Sequence, residues 1–399
     1  MNIGIDISTL NKKSKFQGVY TYSQGLITSL RKKKKNYLFQ IYVDEKFYNE
    51  SKKIFSYKNV KVISLKNKFV KIKMLTKLII LLFGFVRIKL TFLHYFMTNF
   101  TNSQNKKTIE NNSDIILFLN AHENIYNLRI KSIINFHDVI HKSFSEFLSK
   151  KEIILREVIY ENCAKYSSKI IASSNYMKGE FLKSFGFLKK NKIKIISEGV
   201  DTKLFKKKGI DSKFKKKFNL PKKFLFYPAQ LWKHKNHLGL LKAINNIKKK
   251  HKIEINLILS GGKKNYSEII LKYIRDKKIS HVKYLGILKQ SEIIKIYNSC
   301  TAVIIPSYYE SSSLVLLEAC SVKRNIIASN IKPLKEMGKK FHVNYFDVNN
   351  MKSFEKILMD FWKGKLMNKN EIEKNYNIVK KNNWSYIAKE YLTLIDKII

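Results

Sequence analysis

Short, uninterrupted apolar runs recur along the whole chain, separated by polar and lysine-rich stretches long enough to hold helices. In the first half the runs predict strands at Asn2 to Ile7, Tyr37 to Val43, Val60 to Ser64, Asp114 to Leu119, Ser132 to Phe136, Lys169 to Ala172 and Ile193 to Ile196, with a helix over Tyr22 to Leu30. In the second half they predict Phe224 to Tyr227, Ile255 to Leu259, Val282 to Leu285, Thr301 to Ile305 and Asn325 to Ser329. Helices Ser267 to Lys278 and Ser291 to Cys300 fall between these, and another runs from Asn383-Trp384-Ser385 to Ile399. Strands apolar at every position suit a sheet buried on both faces. Strand–helix alternation, read as a six-element pattern in the second half, implies parallel sheets with right-handed crossovers. The expected class is α/β, with two doubly wound domains.

Composition agrees with that size and changes the list of partners. A chain of 399 residues suffices for two domains, and 45% hydrophobic content fills their cores. The net charge of +48 comes mostly from lysine. With only 14 Gly and 4 Pro it matches the bias of an AT-rich genome, yet the field still attracts polyanions. No zinc-finger spacing, RRM-type aromatic motif or helix-turn-helix stands out, so an anionic membrane surface is favoured over nucleic acid. The region Lys66 to Phe100 is apolar and punctuated by Lys66, Lys68, Lys71, Lys73, Lys77, Arg87 and Lys89. An interfacial helix shows this pattern, and so does a core-facing helix in a lysine-rich chain. Its longest uncharged run, Leu78 to Val86, is far short of the ~20 residues of a spanning helix. Cys163, Cys300 and Cys320 are scattered, and read as buried thiols in a reducing compartment. MNIGIDIS enters a strand at once, without a signal-peptide pattern. The expected location is cytoplasmic, extending to the inner face of the cytoplasmic membrane.

Candidate chemistry concentrates in Ile304 to Asn330, IIPSYYESSSLVLLEACSVKRNIIASN. A strand, a hydroxyl-rich loop, a helix and a second strand place this loop at the carboxyl edge of a parallel sheet, where ligands bind. Ser311, Ser312 and Ser313 open the helix, whose first N–H groups and dipole suit a phosphate. Glu318 offers two acceptor oxygens to vicinal ribose hydroxyls, and Glu310 is placed for a second polyol. A Ser-rich turn is equally an ordinary helix cap, and a helical Glu ordinarily faces water. Loop 228–237, Pro228-Ala229-Gln230-Leu231-Trp232-Lys233-His234-Lys235-Asn236-His237, supplies cations and free N–H groups of the kind a diphosphate needs. In the first half, Gly18 lies in a turn before a helix, and His122, Glu123, His137 and Asp138 stand at strand ends facing the expected cleft. Ser174 reads as an N-cap.

The 304–330 stretch resembles the donor-site signature of the family 4 glycosyltransferases, P-S-x-x-E-G-F-G-L-P-x-L-E-A followed by G-x-P-V-I-A-S-N. Pro306, Ser307, Glu310, Leu314, Leu317, Glu318, Ala319 and Ile327-Ala328-Ser329-Asn330 match in register. Ser311-Ser312-Ser313 stand for G-F-G, Val315 for Pro, Lys323 for Gly and Asn325 for Pro. His234-Lys235-Asn236 matches an (R/H)-K-N segment, Glu198-Gly199-Val200-Asp201 an N-G-V-D, and His137-Asp138 an H-D pair. Gly18 matches the first glycine of G-x-G-R-Y-T, while Ser174 and Lys178 match S-x-x-x-K.

The resemblance implies the GT-B fold: an acceptor-binding domain over 1–202, a nucleotide-sugar domain over 203–382, and a helix over 383–399 crossing back to the first. It implies a retaining transferase, expected to be metal-independent for want of an Asp-x-Asp motif, that moves a sugar, mannose by the wording of 228–237, from a GDP- or UDP-linked donor. The acceptor would be a lipid-linked or cell-surface glycan. No cofactor is expected, and no Asp-x-Asp stands at a strand end. By resemblance His137 meets a sugar hydroxyl or the acceptor side, with Asp138 and Ser174 matched on that side; His122 is placed there by its strand end alone. Gly261 sits beside the nucleotide, with Gly286 and Ile287 near the base. The family often has an Arg near Gln230; without it Lys235, with Lys233, takes the diphosphate charge, joined by the 311–314 segment. The rivals are a sugar-nucleotide epimerase or phosphorylase of the same fold, or a basic lipid- or nucleic-acid-binding protein with a decayed site. A phosphorylase would need a pyridoxal lysine site, which the sequence does not show.

Overall fold

The computed structural model describes residues 1–10, 18–33, 36–121, 124–206 and 212–399. They form two units, Met1–Glu198 with Trp384–Ile399, and Gly199–Asn383. Each is built on one parallel sheet.

In the first unit the strands are β1 (Asn2–Asp6), β2 (Leu38–Asp44), β3 (Val60–Leu65), β4 (Ile115–Phe118), β5 (Lys131–Asn135), β6 (Lys169–Ala172) and β7 (Ile193–Ile195). Their order is β3-β2-β1-β4-β5-β6-β7, parallel throughout. The chain winds outward from β1 to β3, then returns to the other side of β1 with β4. The loops after β1 and β4 therefore diverge at a topological switch point. The predicted helix at Tyr22 begins four residues earlier and spans Gly18–Leu30. Helix Trp384–Asp396 packs against it. Gly25 makes that contact possible: a Cβ there would lie 2.4 Å from the Trp384 ring. Tyr22 meets Trp384 edge-on, and its hydroxyl is 2.7 Å from that of Tyr391.

The apolar stretch expected as one interfacial helix is two, Val70–Phe85 and Thr91–Thr101, joined by a turn in which Arg87 has φ 65°. Both pack on helix Lys150–Tyr166, which a Ser149/Glu152 capping box starts. Thr76, Ile80, Leu81 and His94 face inward. Gly84 allows the closest approach, since a Cβ there would meet Ile154 at 2.3 Å. Among the described residues no helix is long and apolar enough to cross a membrane.

In the second unit the strands are β8 (Leu225–Pro228), β9 (Leu257–Ser260), β10 (Val282–Tyr284), β11 (Ala302–Ile305), β12 (Asn325–Ser329) and β13 (Asn344–Phe346). The order is β10-β9-β8-β11-β12-β13, again parallel. Alternate residues serve opposite faces. Phe224 and Phe226 join a core with Tyr297, Leu316 and Val322, while Leu225 and Tyr227 join one with Leu240, Phe346 and Phe354. The sixth strand, β13, was not predicted: Asn344–Phe346 is too short to show a run. The switch point of this sheet falls between β8 and β11, where the strand order reverses. Cys163, Cys300 and Cys320 are buried thiols outside any disulfide, and burial pushes Cys163 and Cys300 up to about 12.

Candidate functional site

The loops after β8 and β11 leave the sheet as neighbours and are tied to each other where they diverge. Asn236 adopts a left-handed conformation, φ 56°, which frees its side chain for two tasks. Its Oδ1 accepts from Gly239 N–H at 3.2 Å, capping helix His237–His251, and its Nδ2 donates to Pro306 O at 3.0 Å. Tyr308 N–H donates to His234 O at 2.8 Å. From the end of β8, the Tyr227 hydroxyl donates to Lys235 O (3.1 Å) and lies 3.0 Å from Ser307 Oγ. Ser329, ending β12, donates to Ser307 O at 2.7 Å.

These ties deliver Lys235 to Glu310. The ammonium is 2.8 and 2.7 Å from the two carboxylate oxygens, and Ser307 Oγ donates to Glu310 Oε1 at 2.6 Å. The Glu310 side chain is 8% exposed and that of Lys235 22%, so the pair is shielded on the acid's side and open on the lysine's. An ammonium has three donors, so Lys235 keeps capacity toward an incoming anion. Burial, then the Glu310 charge, pushes the Tyr227 hydroxyl well above its ordinary pKa, so it stays a donor.

Glu310 leads through Ser311 and Ser312 to Ser313, which N-caps helix Leu314–Ser321 by accepting from Leu316 N–H at 3.3 Å. Ser312 Oγ is buried without a hydrogen-bond partner among the described residues. A hydroxyl held that way is costly unless a ligand completes it. Half-buried Glu318 follows on this helix, and Tyr297 donates to its Oε2 at 2.6 Å. Leu314 begins the helix.

On the other side of β8 the turns are stitched by their backbones. Leu231 N–H donates to Gly262 O at 3.1 Å, and Gly261 N–H to Gly286 O at 2.8 Å. Gly261 has φ 142°, and a Cβ there would lie 2.3 Å from Ala229 O, so only glycine fits. Gly286 has φ 68° with open space beside it, and the following Ile287 is exposed. The Gln230 amide accepts from Trp232 Nε1 at 2.9 Å. Lys235, Glu310, Gln230, Gly261 and the 311–314 segment thus all lie on loops at the carboxyl edge of one sheet.

In the first unit, His137 follows β5 and its Nε2 lies 2.9 Å from Leu119 O. A carbonyl only accepts, so that nitrogen carries the proton and Nδ1 is the acceptor. Burial lowers the His137 pKa, and Tyr22 packs edge-on against its ring at 5.3 Å. Asp138 is held by Arg156 at 2.8 Å and accepts from Ile140 N–H at 3.1 Å. Burial alone would raise its pKa; Arg156 and that N–H hold it below the ordinary value. Ser174 caps helix Asn175–Ser184 through Met177 N–H at 3.1 Å. Gly18 is the exposed first residue of its helix. His122 lies outside the described residues. Sequence reasoning missed Tyr227, Asn236 as a tie, and Tyr297, the donor to Glu318. Only Asn236, within the (R/H)-K-N match, carried a signal.

One consequence is measurable on stability alone. His237, buried just after Lys235 and Asn236, is lowered to about 3 by burial and then by the Lys235 charge; burial lowers His141 to about 4. Both stay neutral in the fold but take up protons in the unfolded chain below 6.5. Their stabilisation is complete above that pH and is lost as pH falls toward the folded values, at up to about 1.4 kcal/mol per unit each. Urea unfolding at pH 7 and pH 5 should show this slope, and His237→Gln should flatten it; equal slopes in the two proteins would contradict the assignment.

Two parallel α/β units of this topology define a GT-B fold. A solved structure, Anabaena Alr3699/HepE in complex with UDP and glucose, aligns with TM-score 0.74 over 100% of both chains at 16% identity. The model of the family described as Glycosyl transferases group 1 matches residues 210–378, which hold most of the second unit. The chain is 28% identical over 250 residues to a probable sucrose-phosphate synthase of Thermosipho melanesiensis, covering 58% of this chain and 55% of that one. It is 30% identical over 164 residues to the Campylobacter jejuni N,N'-diacetylbacillosaminyl-diphospho-undecaprenol alpha-1,3-N-acetylgalactosaminyltransferase, covering 39% and 41%. The chain spans about half the length of the curated relatives it matches.

Proposed function

We propose that the protein is a retaining, metal-independent glycosyltransferase using a nucleotide diphospho-sugar, with a lipid-linked or cell-surface glycan as acceptor. The observation that supports it most is the Lys235–Glu310 pair at the β8/β11 switch point, beside a capped helix start with an unsatisfied Ser312 hydroxyl. In this reading Lys235 and the 311–314 segment hold the diphosphate and stabilise charge as it leaves, the term that usually dominates. Glu318 takes the ribose hydroxyls. Glu310, fixed by Ser307 and Lys235, accepts from the sugar. Gln230, Gly261, Gly286 and Ile287 flank the nucleotide. His137 is assigned to a sugar hydroxyl or the acceptor side through its Nδ1, with Asp138 and Ser174 assigned to the acceptor side and Gly18 near the phosphate.

The bond from the anomeric carbon to the phosphate oxygen breaks, and one to the acceptor oxygen forms on the same face. The acceptor's proton passes to the departing phosphate. Water must be excluded, because hydrolysis competes. The Campylobacter relative, named for a diphospho-undecaprenol acceptor, favours an acceptor built on a polyprenol diphosphate, and the UDP of the Anabaena structure favours a uridine donor. Mannose, read from residues 228–237, puts a GDP-sugar beside it. The test is incubation of UDP- and GDP-sugars with short-chain polyprenyl diphospho-sugar acceptors, with product configuration read by NMR. Expected is a product of retained configuration, formed equally well with EDTA; an inverted product or one abolished by EDTA overturns those two parts.

A further inference from the structure

Of the 21 large apolar side chains that stand exposed among the described residues, 13 lie between Phe69 and Phe100, in under a tenth of the chain. They are ordered. On helix Val70–Phe85 the exposed positions Leu75, Leu78 and Leu82 follow the helical repeat, and on Thr91–Thr101 so do Phe92, Phe96 and Phe100. Phe69 and Phe100 meet at 5.9 Å between ring centres, so the two stripes adjoin at that end. Phe92, the most exposed, is 78% accessible. The opposite faces are occupied by Thr76, Ile80, Leu81 and His94, packed toward helix Lys150–Tyr166, so the stripe is not a core face turned outward by error of register. Monomeric soluble surfaces rarely show apolar patches of this kind without a partner.

Charge selects the partner. Exposed Lys66, Lys68 and Lys71 stand at one end of the hairpin, and exposed Arg87 and Lys89 at the turn. Lys89 is paired with Glu161 and Glu157 of the supporting helix. No Asp or Glu occurs between Glu50 and Glu110. An apolar face framed by cations and lacking acids is complementary to acyl chains beneath anionic headgroups. A second copy laid face to face would bring cations toward cations.

We infer that the hairpin of Val70–Phe85 and Thr91–Thr101 is a membrane-inserting element: its Leu/Phe stripe enters the acyl boundary of an anionic bilayer while its lysines and Arg87 engage the headgroups. Attachment by insertion differs from adsorption of a highly cationic protein, which salt removes. The inference does not rest on sugar transfer, so vesicle binding and transfer can fail separately.

The test uses the full chain with vesicles of equimolar phosphatidylcholine and phosphatidylglycerol, and vesicles of phosphatidylcholine alone, at low and at high salt. Wild type should sediment with the anionic vesicles and retain part of that binding in high salt. Leu78→Ser/Phe92→Ser/Phe96→Ser should lose about tenfold in partitioning per side chain, at unchanged melting temperature because these groups are exposed. Should the triple variant melt early, Phe92→Trp decides: brominated phosphatidylcholine mixed with phosphatidylglycerol should quench its added fluorescence. Triple-variant binding equal to wild type and abolished by salt would overturn insertion in favour of adsorption. So would absence of vesicle binding together with a wild-type dimer that the triple variant dissolves, which would give the face to a second copy.

Discussion

Lys235→Met should lower kcat/KM for the donor about 10²–10³-fold, the loss typical when one preorganised group is removed from charge developing on a leaving group. The same change also takes the partner from a carboxylate that is 8% exposed. Breaking a fully buried pair costs roughly 3–5 kcal/mol; here the lysine is 22% exposed, so about 1–3 kcal/mol is expected. The two effects separate in a double variant. Lys235→Met/Glu310→Gln removes the uncompensated charge, and Gln can still accept from Ser307. It should regain most of the stability and none of the turnover. If the double variant recovered activity along with stability, Lys235 would be a structural residue only.

Glu318→Ala should raise the donor KM about 10–100-fold, since hydrogen bonds to a charged acceptor contribute roughly 1.5–3 kcal/mol each. It also strands the Tyr297 hydroxyl, which donates to Glu318 Oε2 at 2.6 Å, and that costs roughly 1–3 kcal/mol of stability. Glu318→Gln keeps an acceptor for Tyr297 and should melt like wild type while still binding donor poorly. The sharper readout is a 2′-deoxyribose donor. Wild type should reject it, whereas Glu318→Ala should treat both donors alike. Continued discrimination by the alanine variant would move the ribose away from Glu318.

Much of this was legible because the parallel strands are apolar at consecutive positions, as in Ala302–Ile305 and Ile326–Ala328, and because Pro306 and Asn236 punctuate the loops. Glu310, Glu318 and Lys235 were found through their spacing and register. The Lys235–Glu310 bond was not, because 75 residues separate the two and only the β8/β11 adjacency brings them together. Tyr297 was invisible for a similar reason: its helical position reads as core, and its ring does pack on Phe226 at 5.1 Å while the hydroxyl reaches Glu318. The short β13 gave no run, and the 66–100 stretch gave no sign of its break at Arg87, a non-glycine residue with positive φ.

The proposed function requires that the loops after β8 and β11 grip an activated sugar by its pyrophosphate and its hydroxyls. Titration calorimetry of the full chain with UDP-glucose, UDP-N-acetylglucosamine, UDP-galactose and GDP-mannose tests it most directly. At least one should bind without added metal, with affinity weakened tenfold or more by Lys235→Met and by Glu318→Ala separately. Binding of none of them, or binding that both variants leave untouched, would contradict it.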